Sequence, residues 1–219
     1  MIPLTSGAVM RRTGPENGIR VVCLGGGTGA VKPGEFNSGY RWLIGRLTTR
    51  HPDVAFHEVR YRIRSWKRLD MCIEDAVAAL DAVADPCGRP TLLVGYSMGG
   101  AVAISSADHP SVAAVVGLAP WIPDKVDVRR LAGRRLAVLH GTLDGGFLGF
   151  PGVSPSSSRS GYERALAAGV PATYTQIRGG THAIAFPGPR GLLIPAPRAH
   201  TWLRLVDELV TRFQADLGV

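Results

Sequence analysis

Gly95-Tyr96-Ser97-Met98-Gly99 places a hydroxyl between two glycines at the spacing G-x-S-x-G. The apolar run Leu92-Leu93-Val94 leads into it, and the small residues Gly100-Ala101-Val102-Ala103 follow. A chain that turns from strand to helix within one residue strains that residue and lifts its side chain clear of the sheet. Side chains two positions either way would collide, which glycine avoids. Ser97 is therefore a candidate nucleophile, and a helix opening at Met98 favours negative charge developing beside it. A plain glycine-rich turn fits the same five residues, so the motif gains meaning only from partners elsewhere.

A serine hydroxyl is a poor nucleophile until a base removes its proton. Six histidines compete for that role. His51 and His109 fall at predicted helix ends, His57 in mid-strand and His200 in the last helix. His182 follows a strand and then Gly179-Gly180-Thr181, in a loop at the carboxyl edge of the sheet, the edge that also carries Ser97 and where open α/β sheets bind ligands. His182 is the expected base. The base needs an anion to fix its tautomer and to stabilise the imidazolium. Arg135–His140 runs into Gly141-Thr142-Leu143-Asp144, a strand followed by a glycine-bearing loop with a carboxylate just beyond. Asp144 is the expected acid; Asp124 and Asp127, after the preceding strand, are its rivals.

These loops need a sheet to present them. Near-continuous apolar runs at Ile19–Leu24, Val54–Val59, Pro90–Gly95, Val112–Leu118, Arg135–His140 and Ala172–Ile177 suit strands covered on both faces. Segments of helical period alternate with them: Ser38–Arg50, Asp70–Ala84, Met98–His109, Ser158–Ala168 and Arg198–Leu217. In the second, Asp70 reads as the cap of an amphipathic helix. The alternation predicts an α/β fold, a mostly parallel sheet of about six strands with right-handed crossovers and helices on both faces. One domain spanning 1–219 is expected, with residues 1–18 either an extra edge strand or loose. Phe186–Pro197 is too proline-rich for a helix; its Leu192-Leu193-Ile194 would cover a pocket, contact a second copy of the chain as a homodimer, or form an ordered surface loop.

With "GYSMGG", "LHGTLD" and "GGTHAI" in that order on those elements, the chain resembles a small α/β-hydrolase over nearly its whole length. "LHGTLD" looks like the family's H-G-x-x-D after the seventh strand. The resemblance implies acyl transfer to water by Ser97, Asp144 and His182, with no metal and no organic cofactor. It also bears on Val21–Ala30, "VVCLGGGTGA", where Gly25, Gly27 and Ala30 fit G-x-G-x-x-G/A. A dinucleotide fold would start its helix inside that motif, whereas Pro33 and Gly34 block an early helix here. Similarity to the hydrolases places Leu24-Gly25-Gly26 where His-Gly-x is common, implying the Gly26 and Met98 backbone N–H groups as oxyanion donors, with Gly27 next in line. Leu24 departs from the family's histidine.

The expected activity is cleavage of a carboxylic ester of a small to medium substrate. A dienelactone-hydrolase-like lactonase or a thioesterase is the nearest alternative, although the former usually has a cysteine nucleophile. A non-catalytic ligand-binding homologue is the alternative of another kind. The interval Ala119–Gly133, with Trp121, Ile122 and Pro123, leaves room for only a small cap.

Composition narrows the partners. The chain carries 25 Lys and Arg against 17 Asp and Glu, a formal charge of +8. The one cluster is Arg60–Arg68, which could attract an anionic substrate or a nucleic acid; a solvated loop is the plainer reading. No nucleic-acid partner is expected. No apolar run reaches membrane-spanning length, and the first twenty residues lack a signal-peptide pattern, so a cytoplasmic location is expected. Cys23, Cys72 and Cys87 have no metal-ligand spacing, and an odd count argues against a disulfide scaffold.

Overall fold

Ile19–Leu24 (β3) and Thr91–Tyr96 (β5) are buried along their whole length because helices cover both faces of the sheet at its centre. A computed structural model of the chain describes residues 1–85, 87–145 and 152–218. The other six strands of the main sheet are β1 (Ile2–Pro3), β2 (Val9–Thr13), β4 (Val54–Arg60), β6 (Val112–Leu118), β7 (Arg135–Gly141) and β8 (Ala172–Ile177). Their order is β1-β2-β4-β3-β5-β6-β7-β8. From β4 to β8 every neighbouring pair is parallel, while β1 and β2 add antiparallel edges.

The sheet therefore has eight strands and not six. The two extra ones lie in the first eighteen residues, which form an edge. Apolar runs do not reveal β2: its sequence Val-Met-Arg-Arg-Thr pairs Arg11 with Glu58 of β4, and an ion pair joins the two side chains. Glu58, buried at the same place, also accepts the Asn37 N–H at 2.6 Å.

Helices α1 (Ser38–Arg50) and α5 (Ala199–Asp216) pack on one face. Helices α2 (Leu69–Val83), α3 (Met98–Ser105) and α4 (Pro155–Ala167) pack on the other. In α5 the buried stripe is Trp202, Leu203, Val206, Val210 and Phe213, a period-3.6 face. Asn37 caps α1, its side chain accepting the Tyr40 N–H at 3.1 Å. Asp70 does not cap α2. That helix begins at Leu69 after a 3-10 turn, and Asp70 sits in the first turn paired with Arg68. Helix α3 stops at Ser105, earlier than the apolar period predicts, and α4 begins earlier, at Pro155 after its cap Ser154.

Residues 185–195 form a two-stranded hairpin, β9 (Ala185–Pro187) against β10 (Leu193–Pro195), with Leu192 and Ile194 exposed. None of the helices among the described residues is long and apolar enough to cross a membrane.

Candidate active site

Ser97 sits between β5 and α3 with φ 56° and ψ −121°. For a non-glycine residue this left-handed backbone is strained and persists only when its surroundings force it. The forcing contacts are backbone to backbone. A Cβ on Gly95 would lie 2.3 Å from the Gly99 carbonyl oxygen, and one on Gly99 would lie 1.9 Å from that of Leu24. Only glycine lets strand, turn and helix approach so closely. The Ser97 N–H donates to Leu118 O at 3.0 Å, and Ser97 O accepts the Trp121 N–H at 2.9 Å, so the end of β6 holds the turn from the side.

His182, in the loop after β8, places Nδ1 2.7 Å from Asp144 Oδ2. An ionised carboxylate only accepts, so Nδ1 carries the proton and Nε2 of the neutral ring keeps its lone pair. Tyr96 holds this histidine twice. Its hydroxyl donates to His182 O at 2.8 Å, and its ring stacks on the imidazole with centroids 5.1 Å apart. Burial, and then the charge of Asp144, push the Tyr96 phenol up, so it stays protonated as a donor.

Asp144 is buried in the loop after β7. Its Oδ1 accepts the Val153 N–H at 2.9 Å, while Oδ2 faces His182 and also lies 3.1 Å from His140 Nε2. Burial pushes its carboxyl up; the hydrogen bonds from His140 and then His182 outweigh that and leave it below its ordinary value. Asp124 and Asp127 do not take this position: both are exposed, against Arg164 and Arg129 respectively.

Ser97 and His182 border one cavity of about 320 Å³, together with Gly26, Met98, Trp66 and Trp121. Among the described residues Ser97 Oγ makes no hydrogen bond, so hydroxyl and imidazole share the cavity without being joined. Gly26 passes close to the serine: a Cβ there would be 3.2 Å from Ser97 Cβ. Neither the Gly26 nor the Met98 N–H has an acceptor among the described residues. The glycine loop itself is no phosphate cradle, since α1 starts at Ser38 and the loop is pinned to residues 61–66 through bridges Thr28–Ser65 and Pro33–Ile63.

The remaining histidines have other places. His51 contacts Asp207 and Gln214, His109 contacts Asp81 and Ser111, His200 packs edge-on to Trp42, and His57 is buried in β4. His140 is the one that sequence reasoning passed over as an active-site residue. Its contact with Asp144 is signalled only by the His-Gly-x-x-Asp spacing. Tyr96, adjacent to Ser97, carried no separate signal. The basic cluster is dispersed: Arg62 pairs with Asp75 and Glu74, Arg68 with Asp70, and Arg60 lies over Phe36, while Arg64 borders the cavity.

No family profile matches the sequence, and no curated protein matches it. Solved structures do. A sugar hydrolase (YeeB) from Lactococcus lactis superposes with a TM-score of 0.72 at 13% identity, covering 99% of this chain and 98% of that one. An alpha/beta hydrolase enzyme from a Medee basin deep-sea metagenome library superposes at 0.64 and 18% identity, over 90% and 85% of the two chains. The chain has the α/β-hydrolase fold. The Est1E protein of Butyrivibrio proteoclasticus is a further neighbour of this hydrolase-fold chain, with a TM-score of 0.66 and 15% identity over 95% of this chain and 94% of its own.

Proposed function

We propose that the chain is a serine hydrolase that cleaves carboxylic esters of small to medium substrates through an acyl-enzyme. The observation that carries this reading is the His182–Asp144 hydrogen bond at a cavity that also holds Ser97 on a strained strand-to-helix turn. In this reading His182 Nε2 takes the Ser97 hydroxyl proton as Oγ bonds to the ester carbon. The account requires Ser97 Oγ to come within about 3.2 Å of that nitrogen. The carbonyl oxygen becomes an oxyanion held by the Gly26 and Met98 N–H groups, each such donor typically worth about 2.7–4 kcal/mol. The imidazolium then gives its proton to the leaving alkoxide as the C–O bond breaks. Water repeats the sequence on the acyl-enzyme and frees Ser97.

Asp144 would stabilise the imidazolium and keep Nδ1 protonated, while Tyr96 would fix the ring plane. Every group required belongs to the chain, so no cofactor enters the proposed cycle. The cavity size favours a modest acyl group, and a soluble ester is the expected partner. Replacing Ser97 with Ala should lower hydrolysis of 4-nitrophenyl butyrate at least 1,000-fold, as loss of a covalent nucleophile does. Retention of near-normal turnover would refute the assignment.

A further inference from the structure

The chemistry above leaves one charged side chain in the cleft without a role. Arg64 borders the cavity that holds Ser97 and His182, and it also borders an adjoining cavity of about 220 Å³ lined by Glu35, Asn37 and Tyr61. Its backbone is fixed: the Arg64 N–H donates to Lys32 O at 2.9 Å, and its carbonyl accepts the Thr28 N–H at 3.4 Å. The same pairing pins the glycine loop, so guanidinium and proposed oxyanion donors are positioned by one piece of backbone.

The guanidinium is only partly satisfied. Nη1 lies 2.5 Å from Glu35 Oε1, but the Glu35 side chain is 63% exposed against 25% for Arg64. Nε is buried and has no acceptor among the described residues. Glu35 engages only Nη1, so the guanidinium has capacity for a further acceptor. Its planar fork matches a carboxylate in two-point contact. Trp66 and Trp121 wall the same cavity, with ring centroids 6.5 Å apart, and give apolar surface to the cleft that Arg64 borders. Glu35, mostly in solvent, is a partner that an incoming carboxylate can displace.

We propose that Arg64 is the binding site for a carboxylate on the substrate, away from the scissile bond. The natural esters are then monoanions, such as half-esters of dicarboxylic acids or acyl esters of hydroxy acids. This deepens the ester-hydrolase reading and rests on it.

Two ester pairs separate the two sides of the bond. 4-Nitrophenyl hydrogen glutarate against its methyl ester puts the charge on the acyl side. 3-Acetoxybenzoate against its methyl ester puts it on the leaving side. In one pair kcat/KM should favour the anion at least tenfold. Arg64→Gln should bring that ratio near one, and Arg64→Lys should leave it intermediate. Glu35→Gln, which removes the competing carboxylate, should raise it about threefold, an effect no merely structural role would give. Ratios unchanged by Arg64→Gln and Glu35→Gln in both pairs would overturn the proposal.

Binding separates this failure from failure of the hydrolase reading. In Ser97→Ala protein, monomethyl glutarate should change tryptophan fluorescence at a concentration at least tenfold below that needed for dimethyl glutarate, and the preference should vanish in Ser97→Ala/Arg64→Gln. Equal binding of the two would sink the carboxylate site even if the esters are cleaved, and a clear preference would uphold it even if they are not.

Discussion

At the scale of single residues, hydrogen-bond geometry fixes which nitrogen of His140 donates beside Asp144. His140 Nε2 lies 2.9 Å from Val153 O and 3.1 Å from Asp144 Oδ2, both acceptors, so Nε2 carries hydrogen. Its Nδ1 lies 2.7 Å from the Ser158 hydroxyl, which donates to it if the ring is neutral. Tyr174 backs that serine at 3.0 Å. His140 thus acts through Asp144 as a positioning residue: it holds the carboxylate that holds the proposed base. His140→Ala should lower kcat on a neutral short-chain ester roughly tenfold or more while KM stays within about threefold, since a transition-state interaction is weakened and ground-state binding is not. His140→Gln keeps a side-chain donor and should retain more of the rate. Wild-type kcat in both variants would show that Asp144 needs no such support.

At the scale of elements, much was legible and the exceptions have physical reasons. Strands β3 and β6 end where their apolar runs end, because a parallel strand buried on both faces has little choice of residue; β8 keeps the expected bounds although it is an edge strand in which only Ile177 is buried. The turn at Ser97 was legible for a related reason: glycines at 95 and 99 are what a tight strand-to-helix junction requires. Strand β2 was legible only as one of two readings of residues 1–18, because it buries Met10 alone in the core and sets Arg11 across from Glu58, a pattern that apolar runs do not register. The hairpin β9–β10 hid behind its prolines, which sit at strand ends where no ladder donor is needed. For the candidate site, the proximity of Asp144 to His182, and of His182 and Ser97 to one cavity, was readable from loops following strands. Arg64 was readable only as one of several arginines, because which of them turns inward depends on how residues 61–66 pair with the glycine loop.

At the scale of the whole molecule, two apolar layers sandwich the sheet, and one titratable group inside it makes stability depend on pH. His57 lies in β4 between β2 and β3, 4% exposed, with Nδ1 unpartnered among the described residues. Burial, aided by the nearby Arg12 and Arg20, lowers its pKa from 6.5 to about 4. Between those values the unfolded chain binds a proton that the folded chain refuses. The contribution is therefore complete above about pH 6.5 and is lost as pH falls toward 4. At 1.36 kcal/mol per pH unit, lowering the pH from 7 to 5 should cost about 2 kcal/mol of unfolding free energy from this residue. Urea unfolding of wild type and His57→Gln at both pH values checks this: the variant should lose less on acidification, and equal losses would place the pH dependence elsewhere. The central claim, however, concerns a hydroxyl activated at the edge of the sheet. Its most direct measurement is intact-protein mass spectrometry after treatment with a fluorophosphonate, followed by peptide mapping. The account predicts one adduct, on Ser97, that forms far more slowly in His182→Ala protein; no adduct, or an adduct on another residue, would contradict it.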